Sequence, residues 1–546
     1  MDGHNNVHIH TPRWAPGYTL LLLCAITLSP CRVAASGVQA EPTQAQLQGI
    51  VQSLERYAVA EMQAARVPGL AMAVVQSDRV IYARGFGVRK QGRPGAVDEN
   101  TLFEIGSLTK SFTATLMAML VDDGKLSWTD PVVQHMADFR MKTPWVTREM
   151  QIADILCHRS GMPGYQLDAM ELLGFQRPDI VKAVRWVVPV SSFRSAYAYS
   201  NTLYLAAGQL IEATRGHSWE EELSAKLLQP LGMRASTGDP DAVMPGNVAS
   251  GHMILSDGSL WPIPANWRYG YALKTVGPAG GIYSNVVDMA QWLHFQLANG
   301  GVDGKQLVST DNLAVTRAPR TLIASDPSGS SQSYAMGWIY AALAPQPLLW
   351  HNGSTGGMHS AAGLIPGSNV GIVILANATS AVPEKVLGEF YALYFQPWSA
   401  ANSDGATVSS LATPLSDALS ASVAQDVQHP RIAPMSAAQF ERLADADVSP
   451  AADQREFNRY AGAYWNPAYG RFTVEIQNQR LVMIMGPAHI AAPMVHFRGN
   501  VFIATVPDYP ELQLPVQFLV DRTGLVTGLL VPPLGDVNGG RFKRQS

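Results

Sequence analysis

The stretch 101–116, TLFEIGSLTKSFTATL, constrains this chain more than any other. It contains Ser107-Leu-Thr-Lys110, preceded by apolar residues and followed by a helix-forming run at 113–120, TATLMAML. A helix opening at Ser107 carries Lys110 one turn along on the same face, so the amine approaches the hydroxyl. The N–H groups of a helix N-terminus also favour negative charge beside Ser107. Together these features describe a serine activated without a triad histidine. Four residues in this pattern also arise by chance, as a helix cap with a surface lysine. The weight of the motif therefore depends on what else the chain supplies.

The 546 residues, 47% hydrophobic and 15% charged, suffice for one large domain plus a second, or for three. The formal net charge is −4, and no basic patch interleaves with aromatics, which argues against a nucleic-acid partner. The N-terminus reads as an export signal over 1–40. Arg13 precedes an apolar run at 18–28, YTLLLLCAITL, and small residues then lead to a cleavage site after Ala40. That run is too short to span a bilayer convincingly. A mature protein without a stable membrane span, periplasmic or secreted, is expected. Cleavage there removes Cys24 and Cys31 and leaves Cys157, so no internal disulfide is expected.

Along the chain, 44–65 reads as a helix and 70–75 with 80–84 as a β-hairpin. Shorter helical pieces follow at 131–136, 148–157 and 171–186. His158 opens a turn-rich loop, HRSGMPG, and reads as a structural residue ordering backbone near a site. Tyr197-Ala-Tyr-Ser-Asn201 opens a helical run at 202–212. A tyrosine there can carry protons, and an asparagine two residues on can hydrogen-bond a carbonyl. The plainer reading is a half-buried tyrosine with Asn201 as a cap. AGGIYSN at 279–285 is a glycine turn before a helix, and the polar stretch 322–333 reads as a surface loop. LLWHNGSTGG at 348–357, then 360–365 and 370–376, reads as strand, strand, turn and strand. This pattern predicts His351 and Gly353 on an edge strand bordering a cleft, with Gly353 leaving room for a substrate backbone.

Composition shifts after about residue 398. The segment 399–454 reads as a linker, with a short helix at 435–445. Strands at 472–477, 481–484, 494–497, 501–505, 512–519 and 526–530 then predict a small all-β barrel or sandwich over 455–540. No spacing such as H-E-x-x-H indicates a metal site, and no cofactor is expected.

Ser107-Leu-Thr-Lys110, Tyr199-Ser-Asn201 and His351-Asn-Gly353, in that order, resemble the three signatures of the penicillin-recognising serine hydrolases. That group holds class C β-lactamases, D,D-peptidases, D-aminopeptidases and related esterases. The resemblance covers roughly 47–398 and includes VPGLAMAV near Val67 and LCHRSGMPG near Leu156. It implies an α+β, class C β-lactamase-like domain over 41–398: an antiparallel sheet flanked by helices, an all-helical region beside it, and the site between them. It further implies Ser107 as nucleophile, Lys110 as its base partner and Tyr199 as the proton shuttle to the leaving group. Asn201 would contact the substrate amide. His351, Gly353 and Ser354 would border the substrate, and the backbone N–H groups of Ser107 and Ser354 would form the oxyanion hole.

One departure stands out. Class C β-lactamases carry Lys-Thr-Gly at the third signature, where the lysine favours a substrate carboxylate. His351 is largely neutral at pH 7 and is similar to the residue in D-aminopeptidases and other peptidase relatives. YAGAYWNPAYG near Tyr460 and MVHFRGNVF near Met494 resemble an accessory β domain of peptidase-like members. The size, the expected export and this tail are also similar to bacterial hydrolases that cut linearised microcystin, a peptide toxin. The implied activity is cleavage of amide bonds in small or linear peptides. A carboxylesterase, or a penicillin-binding protein with weak β-lactamase activity, is the alternative. A homo-oligomer is compatible with all of these.

Overall fold

Strand Gly69–Gln76 is buried on both faces, and its side chains alternate between two cores. Leu70, Met72 and Val74 enter one core; Ala71, Ala73 and Val75 enter the other. A strand covered on both sides reads as a continuous apolar run, which is how GLAMAVV reads. The computed structural model describes residues 42–327, 330–343, 345–396 and 454–545. Within it this strand belongs to an eight-stranded antiparallel sheet. The spatial order is Arg79–Gly87, Gly69–Gln76, Val370–Ala376, His359–Ile365, Leu348–Ser354, Ile339–Ala342, Ser331–Tyr334 and Thr321–Ser325.

Helix Gln44–Ala64, opened by a Thr43 capping box, packs with helix Val382–Tyr394 against one face. Helix Val286–Leu297 lies on the other face. Beyond it, helix Thr109–Asp122 is surrounded by Asn201–Arg215, Gly277–Gly280 and Thr310–Arg317. Every residue from Thr109 to Leu120 is buried, the polar Thr109, Lys110, Ser111, Thr113 and Thr115 included. Phe112 stacks on Trp292 with ring centroids 3.7 Å apart, fixing the rotation of this helix.

A polar tie sits within the first core. Glu384, on helix Val382–Tyr394, accepts from His359 Nε2 at 2.6 Å and from Asn352 Nδ2 at 3.0 Å. The histidine and carboxylate side chains are wholly buried, and the pair fixes the helix against two adjacent strands.

The C-terminal residues form a closed eight-stranded antiparallel barrel. Its interior is aromatic, with Tyr460, Tyr464, Phe502 and Phe518 in one cluster and Phe472 stacked on Phe542 at 4.4 Å. The predicted six strands are present. Two more, Gly462–Asn466 and Arg541–Arg544, pair with each other and close the barrel, the second lying just beyond the expected boundary at 540.

Three expectations are corrected. The polar stretch 322–333 is largely strand, not surface loop: Thr321–Ser325 and Ser331–Tyr334 extend the main sheet. Its buried positions include Gln332, so polar residues mask the alternation. Leu348–Ser354 is the fifth strand of eight, hydrogen-bonded on both sides, and is not an edge. The helix at 202–212 opens at Asn201, and its cap is Ser200, whose hydroxyl accepts from Leu203 N–H at 3.2 Å. The predicted export segment, the linker up to 453 and its helix at 435–445 lie outside the described residues.

Replacing Glu384 by alanine strands a buried imidazole and amide. The expected loss is about 3–5 kcal/mol of stability, read as a lower denaturation midpoint with near-native far-ultraviolet circular dichroism at low temperature.

Candidate active site

Ser107 sits on the 3-10 turn Gly106–Leu108, which runs directly into helix Thr109–Asp122. Two glycines set this turn against the sheet. Gly106 has φ +52°, and a Cβ there would lie 2.6 Å from Ser354 N. A Cβ on Gly353 would lie 2.1 Å from Ile105 O and 2.9 Å from Ser107 N. The missing side chain of Gly353 makes room for the serine's own turn. Ser360 Oγ donates to Ile105 O at 2.8 Å and pins the same contact. The backbone nitrogens of Ser107 and Ser354 are thereby brought into one corner of the cleft.

Lys110 is fully buried, unusual for a lysine. Its Nζ lies 2.9 Å from Ser107 Oγ, 2.7 Å from Asn201 Oδ1 and 2.7 Å from Ala279 O. Two of these partners are carbonyl oxygens, which only accept. A neutral amine donating to both points its lone pair at the serine hydroxyl. Asn201 is held in the required orientation because its Nδ2 donates to Asp168 Oδ2 at 2.7 Å. Asn201 lines the cleft, yet both ends of its amide are engaged within the protein. The Tyr199 ring also borders the cleft, with its centroid 4.7 Å from Lys110 Nζ.

Two histidines stand behind this row. His158 has φ +56°; its Nδ1 accepts from Ser200 N–H at 3.0 Å, and its carbonyl accepts from Ala198 N–H at 2.9 Å. It orders the backbone that carries Tyr199, and its ring lies 4.3 Å from the Tyr199 ring. Burial, then the neighbouring Lys110, hold its imidazole well below the ordinary range. His351 is likewise buried and lies outside the residues that line the cleft. Its Nδ1 donates to Asn352 O at 2.5 Å, and its Nε2 accepts from Tyr334 O–H at 3.0 Å. Burial, reinforced by Lys110, pushes the imidazole down to about 3.

The cleft has a volume of about 390 Å³. Ser107, Tyr199, Asn201 and Ser354 face it, together with Tyr165, Asp168 and Ala279. One wall comes from the barrel, through Tyr509, Pro510 and Glu511. This loop is held by Trp267 Nε1 donating to Asp508 O at 2.6 Å and Tyr269 O–H donating to Pro507 O at 2.7 Å. Glu511 accepts from Ser256 N–H at 3.0 Å. Among the described residues that line the cleft, the carboxylates are Asp168 and Glu511, and no lysine or arginine is present. Sequence reasoning missed Asp168, Tyr165, Tyr334 and the barrel loop. None belongs to a motif, and only the folded chain brings them here.

Tyr165, which lines the cleft, and Leu167, buried two residues on, have φ +57° and +64°. For side chains of this kind the left-handed region costs roughly 1–2 kcal/mol each. Hydrogen bonds hold the segment in place: Tyr165 N–H donates to Tyr199 O at 2.7 Å, and Thr202 Oγ1 donates to Gln166 O at 3.0 Å.

The chain belongs to the β-lactamase and penicillin-binding-protein-like superfamily of serine hydrolases: the Beta-lactamase family model matches residues 54–394. A second model, a domain of unknown function (DUF3471), matches 446–541. The chain is 29% identical over 340 residues to the unguisins hydrolase ungD of Aspergillus violaceofuscus, covering 58% of this chain and 59% of that protein. It therefore spans about three-fifths of that relative's length. It is 27% identical to penicillin-binding protein 4 of Amycolatopsis lactamdurans, covering 57% of this chain and 81% of the relative. The octameric penicillin-binding protein homologue from Pyrococcus abyssi shares the fold, with a TM-score of 0.55 and 21% identity over 90% of this chain and 99% of that one.

Gly353→Ala forces the Ser107 turn away from Ser354. A fall in kcat of about a hundredfold is expected, the scale of misplacing a group at a reaction site by about 1 Å, measured by steady-state kinetics on a p-nitrophenyl ester. The buried histidines set an acid limit. An unfolded imidazole binds a proton below about 6.5, whereas native His351 does so only near 3. Stability is therefore full above the unfolded value and lost as pH falls, at about 1.4 kcal/mol per unit for this one residue. His351→Gln is expected to lower the melting temperature at pH 7 but to flatten its decline between pH 6.5 and 4.

Proposed function

We propose that this protein is a serine hydrolase that cleaves amide bonds of small or linear peptides through an acyl-enzyme on Ser107. The observation that carries the reading is the Lys110 amine, buried, 2.9 Å from Ser107 Oγ and 2.7 Å from the carbonyl oxygens of both Asn201 and Ala279. In the proposed sequence neutral Lys110 takes the Ser107 proton as Oγ bonds to the substrate carbonyl carbon. The carbonyl oxygen becomes an oxyanion facing the N–H groups of Ser107 and Ser354. The C–N bond then breaks, and Tyr199 delivers a proton to the departing amine. Water then adds to the acyl carbon and gives its proton to the Tyr199 phenolate; the C–Oγ bond breaks, and Lys110 returns its proton to Ser107 Oγ.

The cleft wall favours a peptide over a penicillin. A β-lactam presents a carboxylate, and the carboxylates of Asp168 and Glu511 oppose an anion there. His351, neutral and buried, is in no position to replace a lysine as a carboxylate partner. One relative bears the name of a hydrolase of unguisins, which is consistent with this reading. Linearised microcystin is the candidate peptide suggested by the C-terminal segment and overall size. The export signal expected over 1–40 accords with work on peptides outside the cytoplasm.

Ser107→Ala is expected to abolish turnover of a linear-peptide panel that includes linearised microcystin, and to abolish fluorophosphonate labelling. Full turnover by the variant would reject the reading. Matched amino-acid anilides and p-nitrophenyl esters distinguish a peptidase from a carboxylesterase, and rapid nitrocefin hydrolysis would favour a β-lactamase.

A further inference from the structure

The Lys110–Asn201–Asp168 row does not end inside the hydrolase domain. Asp168 is the first residue of the short helix Asp168–Leu172, and the residue before it, Leu167, is left-handed. Leu167 N–H donates to Asp536 Oδ2 at 2.5 Å, and Asp536 belongs to the barrel. Its other oxygen, Oδ1, accepts from Tyr469 O–H at 2.9 Å, so the carboxylate is oriented from within the barrel. Three more contacts fix the barrel to the same region. Ala488 N–H donates to Leu173 O at 3.0 Å, and Val187 and Val537 form a β-bridge. A Cβ on Gly486 would lie 2.3 Å from Leu173 O, so the backbones approach as closely as glycine permits.

We propose that the barrel is a working part of the catalytic site, with Asp536 as a positioning residue that holds the Leu167–Asp168 turn and, through Asp168 and Asn201, aims the Lys110 amine at Ser107. The inference rests on the proposed serine–lysine chemistry. Its physical basis is the strained turn. A left-handed leucine persists where its surroundings impose it, and a carboxylate accepting its N–H is a strong restraint. Loss of that acceptor lets the turn relax and takes the Asp168 carboxylate from the Asn201 amide. Asn201 is then free to rotate its amide, which presents N–H in place of carbonyl oxygen to the lysine. Asp536 touches no substrate in this scheme. The barrel thus contributes twice, through the Tyr509–Glu511 wall and through this anchor.

The test compares Asp536→Ala, Asp536→Asn and Tyr469→Phe in the full chain. Rates are read on p-nitrophenyl butyrate and from the rate of Ser107 labelling by a fluorophosphonate. Asp536→Ala is expected to lower kcat and the labelling rate roughly ten- to hundredfold, the scale of a misplaced catalytic group, with KM nearly unchanged. Asp536→Asn keeps an oxygen for Leu167 N–H and is expected to restore most of the rate. Tyr469→Phe leaves the carboxylate in place but unrestrained and is expected to fall between the two. If Asp536→Ala does not fold, the other two variants carry the test. Wild-type kcat and labelling rate in folded Asp536→Ala overturn the inference, as does a uniform loss in which Asp536→Asn rescues nothing. Without Asp536→Ala, wild-type rates in Tyr469→Phe overturn it. Full activity in Ser107→Ala rejects the underlying chemistry instead, whatever Asp536 does.

Discussion

A lysine amine sealed from water takes its partners from protein atoms, and those of Lys110 include two carbonyl oxygens, one from the backbone of Ala279 and one from Asn201. The Ser107 hydroxyl is another. A carbonyl oxygen only accepts, whereas at the serine hydroxyl the amine can receive as well as give. Orientation of Asn201 matters for the same reason. An asparagine offers oxygen on one side and N–H on the other, and the acceptor-only carboxylate of Asp168 settles which side faces the lysine.

The elements holding this row are rigid. The serine turn is locked to the central sheet by close backbone approach at Gly106 and Gly353. The lysine helix is packed on every side. Neutral, buried His158 braces the Tyr199 backbone, while His351 braces Tyr334 and the serine-facing strand. A site built on packed helices and strands keeps its geometry better than one built on loops. Left-handed residues occur at His158, Tyr165 and Leu167, and Leu167 lies in the segment that the rest of the site and the barrel hold in common.

The barrel changes the character of the cleft. The hydrolase domain supplies the hydroxyl, the amine, the phenol and the backbone N–H corner. The barrel supplies the wall at Tyr509–Glu511 and with it half of the cleft's negative charge. Charge at the mouth of a low-dielectric cleft selects among ligands before any bond changes.

Much of this was legible in the sequence, and the reason is local. Ser107 and Lys110 are three residues apart, so a single helical turn brings them together. The strands at 69–76, 348–354 and 359–376 are apolar enough to read directly, and the three short motifs carry a family resemblance in their order. The polar strands 321–325 and 331–334 were not legible, because their partners, not their composition, make them strands. Nor was the interior position of His351, since one strand's sequence does not say how many strands lie beyond it. Asn201 is linked to Asp168, and Leu167 to Asp536, across separations of 33 and 369 residues, by hydrogen bonds that no spacing rule encodes. Residue order alone made the reactive groups plain: a serine, a lysine and a tyrosine on elements of known type. The tertiary structure decided which way the lysine points and what closes the cleft, because direction and enclosure come from contacts between segments far apart in the chain.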